Sequence, residues 1–209
     1  MSKLETNTID NISGSSTLTI GDSNASTISI PKNITLGASG TTITVPSGAT
    51  ITNNGTQSGF GGTNTPAFEA TLTSSQVPSQ ATSTKVQVNT EIFDTDNCYD
   101  NSTNYRFTPN VAGKYFVYGR LRLQSTSDSE LRDTQTFIYK NGSVVADSAF
   151  LFRNNHIRSS THTITSIIDM NGSTDYVELW GYINVNSGSI DGFINNNYRT
   201  IFGAYKIIE

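Results

Sequence analysis

The sequence predicts an all-β protein in two parts, an N-terminal intertwined β-stalk followed by a C-terminal β-sandwich. Three observations predict it. Phe, Tyr and Trp are confined to the stretch from Phe60 to Tyr205, so an aromatic core can form only behind that point. The front part instead repeats a tetrapeptide of aliphatic residue, Thr or Ser, aliphatic residue, and a chain-turning residue. Two Asn-Gly pairs, Asn141-Gly142 and Asn171-Gly172, lie between apolar runs, where positive φ joins strands in tight turns.

The tetrapeptide stands at Leu18-Thr19-Ile20-Gly21, Ile28-Ser29-Ile30-Pro31, Ile34-Thr35-Leu36-Gly37 and Ile43-Thr44-Val45-Pro46, with a decayed copy at Ile51-Thr52-Asn53-Asn54. In a strand, residues two apart share a side, so each copy offers two aliphatics to one face and a hydroxyl residue to the other. Gly or Pro then ends the strand. The copies start at 18, 28, 34, 43 and 51, a spacing too irregular for a single-chain solenoid. Burying so few aliphatics falls well short of the entropy cost of ordering the segment, so the strands need neighbours. Other copies of the same chain are the simplest neighbours, which makes Leu18, Ile20, Ile28, Ile30, Ile34, Leu36, Ile43 and Val45 candidates for a subunit interface. A disordered Ser/Thr/Gly tail is the alternative, and the low charge and repeated pattern speak against it. Residues 16–54 form the stalk, and the Asn/Gly/Thr-rich residues 55–65 read as a linker.

Residues 66–209 are enough for one domain with a proper core. Expected strands are Ala67 to Leu72, Lys85 to Phe93, Tyr105 to Thr108, Lys114 to Leu123, the hairpin about Asn141-Gly142, Thr163 to Asp169, Asp175 to Tyr182, and Thr200 to Ile208. About nine or ten short strands with near-regular turns and no convincing helix imply a sandwich. Along Lys114 to Leu123, one face carries Tyr115, Val117, Leu121 and Leu123, which suits the interior. The other carries Phe116, Tyr118, Arg120 and Arg122. Two aromatics leading to two cations fit a subunit contact with a dry centre and a wet rim, scattered surface aromatics being the alternative.

The blocks Pro66-Ala67-Phe68-Glu69-Ala70, Tyr99-Asp100 with Tyr105-Arg106-Phe107-Thr108-Pro109, Gly113-Lys114-Tyr115-Phe116-Val117, Asp175-Tyr176-Val177-Glu178-Leu179 and Ile201-Phe202-Gly203-Ala204-Tyr205 stand in that order. From Pro66 to the C-terminus they resemble the C1q-like globular head, a jelly roll of the tumour necrosis factor superfamily. The family usually has Gly beside the Asp of the fourth block, where this chain has Ser173-Thr174. The resemblance implies a compact homotrimer with Phe116, Tyr118 and Ile201 lining the threefold axis. Some relatives bind calcium near the trimer apex, which makes Asp94, Asp96 and Asp100 calcium candidates; no other cofactor is implied. The N-terminus, with Lys3-Leu4-Glu5-Thr6 leading to Thr-Leu-Thr-Ile-Gly repeats, is similar to the particle-attaching ends of bacteriophage tail-fibre and appendage proteins. That similarity assigns residues 1–15 to particle attachment. The start shows neither a signal-peptide apolar core nor a collagen run.

Other function classes find little in the sequence. Net charge is −4 without a basic run, which speaks against nucleic acid, and no apolar stretch is long enough to span a bilayer. The single cysteine, Cys98, has Asp96 and Asp100 beside it, and these raise a thiol pKa, so it is a poor nucleophile. His156 and His162 have no third ligand at zinc spacing. The pairs Glu130/Asp133 and Asp94/Asp96 are what any charged loop yields. The run from Asp94 to Asp100 lacks the Gly and Glu that an EF-hand loop needs at its sixth and twelfth positions.

The sequence thus predicts no enzyme but a homotrimeric virion appendage, a tail fibre or spike assembled in the bacterial cytoplasm. Its N-terminus binds other virion proteins, and its head adheres to a bacterial surface glycan or protein. Candidate receptor contacts are Tyr176, Trp180 and Tyr182, alternating with core-directed Val177 and Leu179, and the Asn/Gly/Ser loop from Asn184 to Tyr198. The alternative is a purely structural head-fibre, decoration or tail-joining protein with no receptor. A glycan-degrading tailspike is disfavoured because the stalk is too thin for a catalytic β-helix.

Overall fold

The structure, a computed structural model, describes residues 42, 44–50, 52, 64–187, 189–193 and 199–208. The chain divides into two units, Met1–Gln57 and Ser58–Glu209. Of the stalk candidates, Leu18, Ile20, Ile28, Ile30, Ile34, Leu36 and Ile43 lie outside the described residues. Val45 is described and exposed, just before a turn closed by the Ala49 N–H on the Pro46 carbonyl at 3.1 Å.

The second unit is all-β, with no helix among the described residues. Its first strands are β1 (Ala67–Thr71), β2 (Thr84–Lys85), β3 (Thr90–Asp94), β4 (Tyr99–Asp100), β5 (Arg106–Phe107) and β6 (Ala112–Ser125). These are followed by β7 (Leu131–Lys140), β8 (Ser143–Leu151), β9 (Ser159–Asn171), β10 (Val177–Val185), β11 (Ile190–Phe193) and β12 (Ile201–Ile208). They pair antiparallel into two sheets. In the first, β6 takes β9 on one side and β12 and β11 on the other, and β1 and β3 follow β12. The second runs β4-β5-β10-β7-β8, with β2 also on β10.

The period-two pattern of β6 decides where the core lies. Tyr115, Val117, Leu121 and Leu123 are fully buried, as expected, and Phe116, Tyr118, Arg120 and Arg122 alternate with them outside. Gly119 holds the fifth inward place because a Cβ there would come within 2.6 Å of Leu179 Cδ1 on the opposite sheet. Between the sheets Phe68 stacks on Tyr99 (centroids 4.4 Å) and on Phe107 (4.6 Å), and meets the edge of Phe202 at 5.1 Å. The Tyr99 hydroxyl, buried with the ring, donates to the Val88 carbonyl at 2.7 Å. Those four rings bind strands of both sheets into one core.

Two expectations need correction. The single strand expected from Lys85 to Phe93 is two: β2 pairs with β10 in one sheet and β3 with β1 in the other. Val86 and Val88 between them are fully buried as the chain crosses the end of the sandwich, and a plug of alternating valines has the same period as a strand. The loop expected from Asn184 to Tyr198 is interrupted, since β10 runs to Val185 and β11 returns to β6 with Phe193 fully buried, while residues 188 and 194–198 of it lie outside the described residues.

Both Asn-Gly pairs form turns, with φ of 50° at Asn141, 79° at Gly142 and 71° at Gly172. The first closes the β7–β8 hairpin. The second carries the chain from one sheet to the other, because β9 and β10 belong to different sheets. Ser173-Thr174 serves this turn through backbone N–H groups that donate to Asn171 Oδ1, each at 3.0 Å. Asp175 ties the two turns together by accepting from Asn141 Nδ2 at 2.7 Å and pairing with Lys140 at 2.8 Å.

Truncating the ring at the centre of the stack tests this arrangement. Phe68→Ala is expected to lower the unfolding free energy by about 3–5 kcal/mol, measured by chemical denaturation of the head. A loss below about 1 kcal/mol would mean that the stack does not hold the sheets.

Candidate functional site

With the interior closed around Phe68, aromatic side chains remain on the outer faces of both sheets. On the first, Phe116 lies 5.5 Å from Tyr205 and 6.1 Å from Tyr118, centroid to centroid. Ile167 stands opposite Phe116 in register and is 63% exposed. The Tyr118 hydroxyl donates to Glu69 Oε2 at 2.6 Å, and its ring lies over Gly203, where any Cβ would collide with it. Burial first, and then Glu69, push the Tyr118 phenol well above its usual range, so it stays a donor. Ile201 sits opposite Arg120 in register and joins the same face. Arg120 Nε and Arg122 Nε are shielded from water and have no acceptor among the described residues.

Phe116, Tyr118 and Ile201 therefore share one sheet face, while Tyr205 and Ile167 belong to it without having been singled out in the sequence. The alternation of Phe202 and Ala204, both buried, with exposed Tyr205 was the signal for the former.

On the second sheet, Trp180 stacks on Tyr139 with centroids 4.7 Å apart, and Tyr139 meets the edge of Phe137 at 6.0 Å. The indole N–H donates to Glu178 Oε2 at 2.9 Å. Lys85 pairs with the other oxygen of Glu178 at 2.6 Å, lies 5.8 Å from the Trp180 ring, and donates to the Asn104 carbonyl at 3.0 Å. Glu178 is nearly buried beneath these two, so its charge is matched and the Trp180 ring is fixed in place. Tyr176 lies under the Arg106 guanidinium, whose central carbon is 4.4 Å from the ring centre. Tyr182 is half-buried and faces Gln135 across the strands. The structure thus sets Tyr176, Trp180 and Tyr182 off the interior side of β10 and adds Tyr139, Phe137, Lys85 and Arg106, which sequence reasoning missed. Phe137, Ile138 and Tyr139 are all apolar, so that strand has no polar face by which to recognise its outside.

The calcium candidates Asp94, Asp96 and Asp100 lie in the segment that runs from β3 through β4. Asp94 takes the Tyr99 N–H at 2.8 Å and the Asp96 N–H at 3.3 Å. Asp100 is occupied by its own turn. No group of three His, Cys, Asp or Glu is placed to hold a metal among the described residues. Cys98 is buried, and burial, followed by the charges of Asp94 and Asp96, pushes its thiol up. Of the two aspartates expected to raise it, Asp96 contributes, while Asp94 acts in place of Asp100 and burial is the main cause.

No family model matches the chain, and no curated protein does. Among solved structures, the globular domain of zebrafish complement 1qA protein matches at 14% identity and TM-score 0.49, over 69% of this chain and 98% of that one. The crystal structure of murine APRIL at pH 5.0 matches at 8% identity and TM-score 0.50, over 68% of this chain and 98% of that one. The head shares the jelly-roll fold of APRIL. The likeness to APRIL is one of fold, and it agrees with the two antiparallel sheets described above.

One histidine of the jelly roll is part of its interior. His162 in β9 is 1% exposed and joins the two sheets, with Nε2 2.9 Å from Thr134 Oγ1 and Nδ1 3.0 Å from Ser148 Oγ. The Phe150 ring covers it at 4.4 Å. Burial lowers its pKa from 6.5 to about 4. Between those values the unfolded chain binds the proton and the folded head does not, so stability is fully present above pH 6.5 and is lost as pH falls toward about 4. Denaturation across that window is expected to show a slope of up to about 1.4 kcal/mol per pH unit from this group. His162→Gln is expected to remove that slope, and an unchanged slope in the variant would assign it elsewhere.

Proposed function

We propose that the chain is an appendage of a bacteriophage particle, attached by its N-terminus and self-associated as a trimer, whose jelly-roll heads adhere to a glycan on the bacterial surface. The repeating, nearly uncharged N-terminal segment supports attachment through a multi-chain stalk. Self-association is supported by the outer face of the first sheet, where Phe116, Tyr118, Tyr205 and Ile167 leave a solitary head with an apolar surface. The fold shared with the C1q/TNF-like heads, which the resemblance describes as trimeric, supports the same stoichiometry.

Adhesion rests on one observation above the others: Trp180 and Tyr139 are stacked and outward-facing on the opposite sheet, anchored by Glu178 and Lys85. Aromatic faces of this kind take the C–H surface of a sugar ring, while neighbouring amides and charges take its hydroxyls. Since the two aromatic faces lie on different sheets, a trimer built through the first leaves the second open. A stalk carrying three such heads turns weak individual contacts into strong attachment by effective concentration.

Two measurements test the reading. Phe116→Arg is expected to shift the sedimenting species of the full chain toward smaller assemblies, and an unchanged trimer would contradict the contact face. Trp180→Ala, with thermal unfolding as a control, is expected to weaken binding of the assembled protein to intact host cells by roughly tenfold or more, the factor about 1.4 kcal/mol brings. Equal binding by the variant, or none by either protein, would favour a purely structural appendage.

A further inference from the structure

The outer face of the second sheet leads, at the β4–β5 turn, into a hollow of about 560 Å³ that is open to solvent. Its walls carry the side chains of Asn97, Asn101, Ser102, Asn104 and Thr108, with Glu91 and Asp100 as acids and Arg106 as the cation. The charges are not equivalent. Asp100 Oδ1 accepts the backbone N–H groups of Thr103 at 2.9 Å and Ser102 at 3.1 Å, and Oδ2 accepts the backbone N–H and side-chain amide of Asn104 at 3.0 and 2.7 Å. Those bonds, the one from Thr103 foremost, hold the Asp100 carboxyl well below the usual carboxylate range. Its charge is therefore answered within its own turn, and the aspartate shapes the wall.

Arg106 is the opposite case. Its side chain makes no ion pair or hydrogen bond among the described residues, and the guanidinium carbon lies 4.4 Å from the centre of the Tyr176 ring. Stacking on a ring holds the planar group while leaving its N–H edge free, and that edge matches a carboxylate in two parallel hydrogen bonds. Glu91, also in the lining, accepts hydroxyl donors and repels a carboxylate, so an anionic ligand is oriented with its charge toward Arg106. The hollow also adjoins the aromatic face. Asn104, in the lining, takes the Lys85 ammonium on its carbonyl at 3.0 Å, and Lys85 is the residue beside the Trp180 ring.

We propose that this hollow is the subsite for an acidic sugar of the adhesion glycan, with Arg106 pairing its carboxylate in a two-point contact and the Asn and Ser side chains taking its hydroxyls. The inference rests on the glycan-adhesion reading and names the sugar class that the site selects. A chain of sugars running from the hollow toward Trp180 would place a charged unit on Arg106 and stack a later unit on the indole.

The test is titration calorimetry of the full, assembled protein with oligosaccharides of galacturonate, glucuronate and N-acetylneuraminate, beside their neutral galactose and glucose counterparts. At least one acidic oligosaccharide is expected to bind more tightly than its neutral counterpart, with affinity falling as salt rises. Arg106→Gln is expected to reduce that binding about tenfold or more, and Arg106→Lys to restore it only in part because the fork is lost. Circular dichroism of both variants guards against misfolding, and Asn101→Ala supplies a second, milder probe of the same wall. Binding unaltered in Arg106→Gln, or no preference for any acid over its neutral counterpart, would overturn the subsite. Neither result touches the adhesion reading, which stands or falls on whole-cell binding of the Trp180 variant.

Discussion

The aromatic stack around Phe68 is the contact on which the rest of the head depends. Phe68 and Phe202 belong to neighbouring strands of one sheet, Tyr99 and Phe107 to neighbouring strands of the other, and all four rings are buried. Because β4 and β5 are only two residues long, their hydrogen bonds alone cannot hold the edge of the second sheet in place. The rings hold them. That placement in turn fixes the Asp100 turn, puts Arg106 over Tyr176, and so creates the hollow at the end of the sheet.

The same closure explains why the outer faces carry chemistry. Once Tyr115, Val117, Leu121 and Leu123 have filled the interior from β6, and Val177, Leu179 and Ile183 from β10, the alternate residues lie outside the space between the sheets. Yet both strands put aromatics there. On β6 they meet others of their kind, with two arginine Nε groups that have no acceptor among the described residues, which suits a second protein surface. On β10 they meet Lys85, Glu178 and Arg106, which hold each ring in a polar frame, and that suits a small polar ligand. The division of labour proposed for the two sheets rests on what surrounds each set of rings.

Much of this was legible in the sequence, for local reasons. The inside and outside of β6 follow from strict alternation, and the Asn-Gly turns from the need for positive φ. Where alternation and strand identity part company, the reading failed: Val86 and Val88 have the period of a strand but plug the end of the sandwich. Phe193 was lost in an Asn/Gly/Ser stretch because a single buried ring among turn residues has no period at all. The Arg106–Tyr176 and Trp180–Tyr139 pairs join residues far apart in the chain, and only strand register brings them together. Asp100 likewise shows what residue type leaves out, since its carboxylate accepts hydrogen bonds from the backbone of its own turn.

The central claim is that the two aromatic faces have different partners, one another copy of the chain and the other a glycan. An electron-microscopy reconstruction of the assembled full-length protein tests it most directly. The account predicts three heads about one axis, with Phe116, Tyr118 and Tyr205 buried between copies and Trp180 and Arg106 turned to solvent. A solitary head, or an assembly that buries Trp180 and leaves Phe116 exposed, would contradict it.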